Sequence, residues 1–353
     1  MFHYELYINL FATFKLCRYF SIFAYIFCIP TAKFSAMTKI TDYIKNSKQT
    51  LFSFEILPPL KGESIQQLFK AIEPLMEFKP KFIDVTYHRE EYVYKKHENG
   101  LLERQRIRKR PGTVGICAAI MNHFKVDAVP HIICGGFTQE ETENALIDLH
   151  FLGIHNVLVL RGDAIKSEGN FIPEPEGHHY ASDLLQQVMA MNQGKYLEEG
   201  LQAAATNFCI GVAGYPEKHF EAPNLTTDLK YLKLKQDLGA DYIVTQMFFD
   251  NQKYFEFVGR CREIGITVPI IPGLKPITTK KQLTILPSIF HIDMPDDLVR
   301  AVDTCKNNEE VKQVGIEWGI QQSKELIEFG VPVLHYYSMS KSDAVRQIAE
   351  ALF

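Results

Sequence analysis

The chain has 353 residues, 46% of them hydrophobic and 23% charged, with a formal net charge of −4. This is globular composition, long enough for one large domain or two smaller ones, and it excludes a strongly basic nucleic-acid surface. The seven cysteines are odd in number and scattered, with no CxxC, which fits a reduced, cytoplasmic protein rather than a disulfide scaffold.

Residues 1–36 are dense in Phe, Tyr, Leu and Ile, with Lys15 and Arg18 ahead of the apolar run YFSIFAYIFCIP. The run has the form of a signal peptide but is too short to span a membrane, which takes about 20 apolar residues. MTKITDYIKNSKQTLFSFEILPP, from Met37, is a natural beginning for a cytoplasmic enzyme. Residues 1–36 are therefore read as an extension, disordered or not translated, and residues 37–353 as one domain.

From residue 50 the pattern is apolar strand, polar turn, amphipathic helix, repeated. TLFSFEI reads as a strand, SIQQLFKAIEPLMEF as a helix and KFIDVTY as a second strand. Residues 88–111 are charged and lack strand periodicity, which predicts a long loop or a helical excursion, and the basic run at 104–110 reads as a solvated face. TVGICAAIMNHF reads as a helix and AVPHIIC as a strand. TQEETENALIDLHFLG reads as a helix opened by a capping box of Thr138 and Glu141. NVLVLRGD, NFCIGVAGYPE, DYIVTQMFFD, TVPIIPG and VPVLHYYSM read as strands, with helical patterns between them. Two further helices, around 296–305 and 308–329, precede the last strand, and SDAVRQIAEALF closes the chain. Eight strands alternating with helices predict an α/β fold, a (β/α)8 TIM barrel in a single domain. The runner-up is an open doubly wound sheet, against which the lack of a GxGxxG after the first strand counts.

In such a barrel, reactive groups stand at the C-terminal ends of the strands. Glu55 closes the first strand, Thr86, Tyr87 and His88 the second, and His131 with Cys134 the third. Arg161, Gly162 and Asp163 close the fourth, Tyr215, Glu217 and His219 the fifth, Thr245 and Gln246 the sixth, and His335, Tyr336 and Tyr337 the last. Glu55 is the sharpest signal, because an unpaired polar group costs several kcal/mol to bury and a charge costs more. Singly, several of these residues have plain structural readings. Arg161 and Asp163 could be an ion pair and His131 a hydrogen-bonded core histidine, with His178 and His179 at the surface and Phe248 and Phe249 part core, part pocket wall. Together they make a polar rim that a purely structural barrel does not need. Metal or Schiff-base chemistry would need a His/Asp cluster or a strand-end lysine, and no strand end is read as carrying a lysine.

SFEILPP, VTYH, PHIIC, VLRGD, YASDL, GYPEKH, DLKYLKLKQDLGADYIVTQMFFD and IIPGLKPI resemble, in that order, the signatures of the methylenetetrahydrofolate reductase family. The resemblance runs from about residue 45 to the C-terminus. It implies a barrel that holds FAD non-covalently and reduces 5,10-methylenetetrahydrofolate to 5-methyltetrahydrofolate with NADH or NADPH. The cycle it implies is ping-pong and feeds methionine synthesis. By motif position, Glu55 is implied as the catalytic acid that opens the folate's five-membered ring, its pKa raised by desolvation. Asp163 is implied beside the flavin and pterin, Gln246 against folate and nicotinamide in turn, and Thr86 beside the flavin ring.

The same resemblance sets FAD against Tyr87, His131, Arg161 and Gly162, against Tyr180 and Ala181, and against Tyr215, His219, Asp228 and Lys235. Gln282 keeps a substrate-binding place, and Lys341 is a cation where the family can meet the folate tail. Tyr231, Leu234 and Leu286 depart from the bacterial pattern, which bears on the phosphate grip and the substrate wall. The residues 88–111 are longer and more basic than in the compact bacterial form. Eukaryotic relatives add a regulatory domain that binds S-adenosylmethionine; this chain ends after the last barrel helix, and no such regulation is expected. The resemblance implies small-molecule partners, no nucleic acid, no membrane, a homo-oligomer and, as a lean, NADH. The competing reading is a non-catalytic folate- or flavin-binding barrel, against which Glu55, Asp163 and Gln246 stand.

Overall fold

Strands with both faces buried read as unbroken apolar runs, because one face fills the barrel and the other packs on helices. The computed structural model describes residues 38–353 apart from 166–168 and 202, and the expected extension over residues 1–36 lies outside the described residues. The inner strands are β1 (Leu51–Ile56) and β2 (Phe82–Val85), then, after a separate hairpin β3 (Glu91–Lys96) and β4 (Leu102–Ile107), β5 (Asp127–Ile133) and β6 (Asn156–Leu160). They continue with β7 (Cys209–Gly214), β8 (Tyr242–Thr245), β9 (Ile270–Ile271), β10 (Gly273–Leu274) and β11 (Val333–Tyr337).

All nine barrel strands are parallel, in the order β10-β11-β1-β2-β5-β6-β7-β8-β9. The expected seventh strand is split at Pro272, which has no N–H for the ladder. Its halves β9 and β10 pair with β8 and β11 respectively, so the sheet all but closes on itself. This is the (β/α)8 barrel expected from the sequence.

The described helices are α1 (Ile40–Asn46), α2 (Ile65–Ile72), α3 (Thr113–Phe124), α4 (Gln139–Phe151), α5 (Ala181–Met191) and α6 (Leu225–Asp237). After them come α7 (Asn251–Glu263), α8 (Gln282–Phe290), α9 (Asp296–Asp303), α10 (Asn308–Phe329) and α11 (Asp343–Glu350). The capping box at Thr138 and Glu141 is formed as expected. Among the described residues, no helix is long and apolar enough to cross a membrane.

Alternation along each strand divides the core in two. Phe54, Ile56, Ile83, Val85 and Ile132 face the helices. Leu51, Phe82, Val129, Leu158, Tyr242 and Val333 fill the barrel's lower interior, where Ile40 of α1 plugs the bottom. The Ile40 N–H donates to Asn156 Oδ1 at 2.9 Å, which fixes that plug. Gly211 is required here, since a Cβ on it would stand 2.4 Å from the Tyr242 ring.

The stretch 88–111 corrects the expectation of a loop or helix. β3 and β4 pair antiparallel across a turn at 97–101. The hairpin lacks a strand-like sequence signal because it has no core-facing side: on one face Tyr94 is 62% exposed and Leu102 63%, and on the other Lys95 and Glu103 are exposed. With both faces wet, no apolar alternation is imposed. Arg104 lies over the Tyr92 ring at 4.2 Å; in the basic run Arg104, Arg108 and Lys109 are exposed, whereas Arg110 is half-buried and donates to the Pro58 carbonyl.

Candidate functional site

Above its apolar floor the barrel interior turns polar. Leu51, Ser53 and Glu55 alternate on the inner face of β1, and the register sets Glu55 between Tyr337 of β11 and Asp84 of β2. Glu55 is 8% exposed and Asp84 0%. One imidazole nitrogen faces both carboxyls: His131 Nε2 is 3.5 Å from Glu55 Oε2 and 3.4 Å from Asp84 Oδ2. Both distances exceed those of tight charge-assisted bonds. Beneath them Ser53 Oγ and His335 Nδ1 are 2.8 Å apart.

Burial pushes the Glu55 carboxyl up to about 7, with His131 and Lys275 pulling it down and Asp84 pushing it further up. Burial likewise raises Asp84 to about 6, against the attraction of His335. Burial lowers the pKa of both His131 and His335, which favours neutral imidazoles. The reading of His131 as a hydrogen-bonded core histidine therefore holds in part: it is buried, and its partners are two carboxyls.

Lys275 follows β10 directly and is half-buried, with its Nζ donating to the Tyr337 carbonyl at 3.3 Å. Burial lowers its pKa, while Glu55 opposes that shift. This overturns the expectation that no strand end carries a lysine. Pro272 and Gly273 read as a stop in the sequence, whereas the strand resumes past Pro272 and delivers Lys275 to the rim.

A second group of residues gathers at the ends of β6 and β7. Arg161 makes a bidentate pair with Glu221 at 2.6 and 2.8 Å, in place of the pair with Asp163 that the sequence allowed. Asp163 is exposed at the rim. Gly162 has φ +85°, a left-handed conformation suited to glycine, and backs onto Ile133. Tyr215 meets His219 edge-on at 4.7 Å, and the His219 N–H donates to Asp228 Oδ2 at 2.9 Å. Lys235 Nζ donates to the Ala213 carbonyl at 2.7 Å, and burial lowers its ammonium to about 8. Tyr180 caps α5 through its N–H to Asp183 Oδ2 at 3.0 Å, its ring exposed, with Ala181 next. Tyr87 lies 4.9 Å from Phe137. The hydroxyl of Thr86 is buried with no hydrogen-bond partner among the described residues.

The expected substrate residues lie after β8, on α8 and after β11. Gln246 Oε1 accepts from the Met247 N–H at 2.9 Å. Gln282 Oε1 accepts from the N–H groups of Thr278 and Thr279 at 2.7 and 2.9 Å, so it shapes the loop that leaves β10, and its amide nitrogen is the group able to serve a ligand. Lys341 is exposed, and its segment is tied to the site by Ser338, whose Oγ donates to the Glu55 carbonyl at 2.7 Å. Leu286 is buried with Met247, Phe249 and Ile277, while Tyr231 and Leu234 are exposed on α6. Two expectations fail. Phe248 and Phe249 are both core. His178 is buried against Gln187 Oε1 at 2.5 Å, because the loop before α5 folds under the helix.

Asp84 and Lys275 escape the sequence reading. Asp84 sits in FIDV, where alternation could have marked it as facing the same interior as Glu55.

Residues 39–353 match the family described as Methylenetetrahydrofolate reductase. The chain is 33% identical over 302 residues to Methylenetetrahydrofolate reductase (NADH) 1 of Zea mays, covering 83% of this chain and 46% of that protein. It is 32% identical over 301 residues to 5,10-methylenetetrahydrofolate reductase of Escherichia coli, covering 85% of this chain and 90% of that one. The chain thus spans about half the length of the plant relative. Among solved structures, a Clostridium thermocellum protein described as binding two copies of 5-methyl-5,6,7,8-tetrahydrofolic acid shares the fold, with TM-score 0.51 and 15% identity. That alignment covers 87% of this chain and 96% of the other.

Proposed function

The chain belongs to the methylenetetrahydrofolate reductase family, and from that premise we propose that it reduces 5,10-methylenetetrahydrofolate to 5-methyltetrahydrofolate with NADH or NADPH through FAD, in a ping-pong cycle. The observation that supports this most is Glu55, a carboxyl raised by burial to about 7 at the C-terminal end of a barrel strand. A general acid works best with a pKa near the working pH.

The residues present fit a flavin dinucleotide. Arg161, His219 and Lys235 gather cationic and N–H donor groups on one side of the rim, suited to a pyrophosphate. The left-handed Gly162 allows close approach, and the orphaned Thr86 hydroxyl gives a buried polar atom for the ring. When bound, FAD would supply the redox chemistry, relaying hydride from the nicotinamide to the folate. Glu55 holds its proton in a dry setting and delivers it to the ring nitrogen that leaves the methylene carbon. The five-membered ring then opens to an iminium, which becomes the methyl group on accepting hydride. Asp163 and Gln246 position the pterin, and Lys341 meets the folate carboxylates. A homo-oligomer in the cytoplasm belongs to the same reading.

The test is product identity. Flavin-loaded protein with NADH, the donor that names the plant relative, should convert methylenetetrahydrofolate to 5-methyltetrahydrofolate. Bound flavin with no such product would leave the non-catalytic binding barrel as the reading.

The Arg161–Glu221 pair yields a further expectation. Glu221 holds the guanidinium that a phosphate would need, so Glu221→Gln should tighten FAD about two- to fivefold, the scale of an exposed ion pair. Fluorescence titration of the flavin-free protein at low salt checks this. An unchanged Kd would mean that Arg161 takes no part in phosphate binding.

A further inference from the structure

Two charged groups flank Glu55 without a part in the chemistry derived above. Asp84 is fully buried on β2, beside Glu55 in register, and its Oδ1 has no hydrogen-bond partner among the described residues. Its Oδ2 shares His131 Nε2 with Glu55. On the opposite side, Leu274 pairs with Tyr336 and Glu55 with Tyr337, which brings Lys275 level with Glu55 across β11. Its ammonium is anchored on the Tyr337 carbonyl.

We propose that Asp84 and Lys275 are an opposed pair of positioning residues that set how firmly Glu55 holds its proton, Asp84 through His131 and Lys275 across Tyr337. The inference rests on Glu55 being the acid.

In the tautomer that carries its proton on Nε2, His131 serves one carboxylate fully at a time. While Asp84 is ionised it takes that N–H, and its charge disfavours a second negative charge at Glu55. Once the proton has gone to folate, the same N–H turns to the Glu55 carboxylate. Lys275 acts in the other sense, because its ammonium favours the ionised carboxylate and so promotes release. The remaining titratable groups that face Glu55 carry little charge or stand further away. His131 and His335 are held toward neutral by burial. Burial keeps the Tyr337 phenol protonated. Lys341, beyond Lys275, is exposed and screened.

Opposed charges give opposed shifts, which loosened packing does not. The folate half-reaction needs protonated Glu55, so its rate falls as pH rises through that pKa. Asp84→Asn removes a negative charge and should move this alkaline limb down by about one pH unit. Lys275→Met removes a positive charge and should move it up by about one unit. The experiment mixes NADH-reduced, flavin-loaded protein with methylenetetrahydrofolate under anaerobic conditions across pH. Infrared titration of the Glu55 carboxyl, assigned by its loss in Glu55→Gln, gives a readout independent of turnover. Lys275→Arg should restore the wild-type limb, and Asp84→Ser substitutes for Asp84→Asn if the amide variant does not fold. Coincident limbs, or limbs displaced in the same direction, overturn the proposal. A wild-type protein with no folate half-reaction overturns the reading of Glu55 instead, and is told apart by the infrared titration, which still reports the two shifts.

Discussion

Glu55→Gln is expected to slow the folate half-reaction by about 10²- to 10⁴-fold while leaving flavin reduction by NADH within a few-fold of wild type. The amide keeps the shape of the carboxyl and can still meet His131, but has no acidic proton. The split between half-reactions is what makes the result informative, since a variant that had merely lost packing or flavin would slow both. The pH dependence follows with its sign. In the proposed mechanism Glu55 acts when protonated, so the wild-type folate half-reaction should be level below its pKa and fall about tenfold per unit above it, with the bend near 7. A bend that stays in place in Glu55→Gln would assign the acid elsewhere.

Gly315→Ala is expected to cost about 1–3 kcal/mol of stability or more. Gly315 lies on α10 where that helix meets the chain leaving β10, and a Cβ there would stand 1.8 Å from the Ile277 carbonyl oxygen. The obstacle is backbone and cannot swing aside. Relief requires α10 to back away or the 275–282 segment to move, and that segment carries both Lys275 and Gln282. The guanidinium midpoint should fall, and the folate KM should rise more than the NADH KM. A variant with both unchanged would show that the close approach of α10 does not hold this edge of the site.

The eight barrel positions are legible because each inner strand is buried on both faces, which leaves unbroken runs such as NVLVL and DYIVT. The hairpin at 91–107 is not, because neither of its faces meets the core. Glu55 stands out in the sequence by contrast, a lone acid in an apolar strand. Asp84 has the same character in FIDV but is hidden by its nearness to the polar TYH that follows. Lys275 is missed because the Pro-Gly before it reads as a stop, when Pro272 in fact divides one strand into two pairing halves. The pairing of Arg161 with Glu221, 60 residues apart, depends on how the loop after β7 folds back, and no local pattern reports that.

In the proposed cycle one site runs two half-reactions. The most direct measurement is the visible spectrum of the flavin-loaded protein under anaerobic conditions, first with NADH and then with methylenetetrahydrofolate. Bleaching by the first and return of the yellow colour with the second, with 5-methyltetrahydrofolate formed in step, is the result predicted. A protein that cannot be loaded with FAD, or one that bleaches with NADH and stays bleached with the folate, would contradict it.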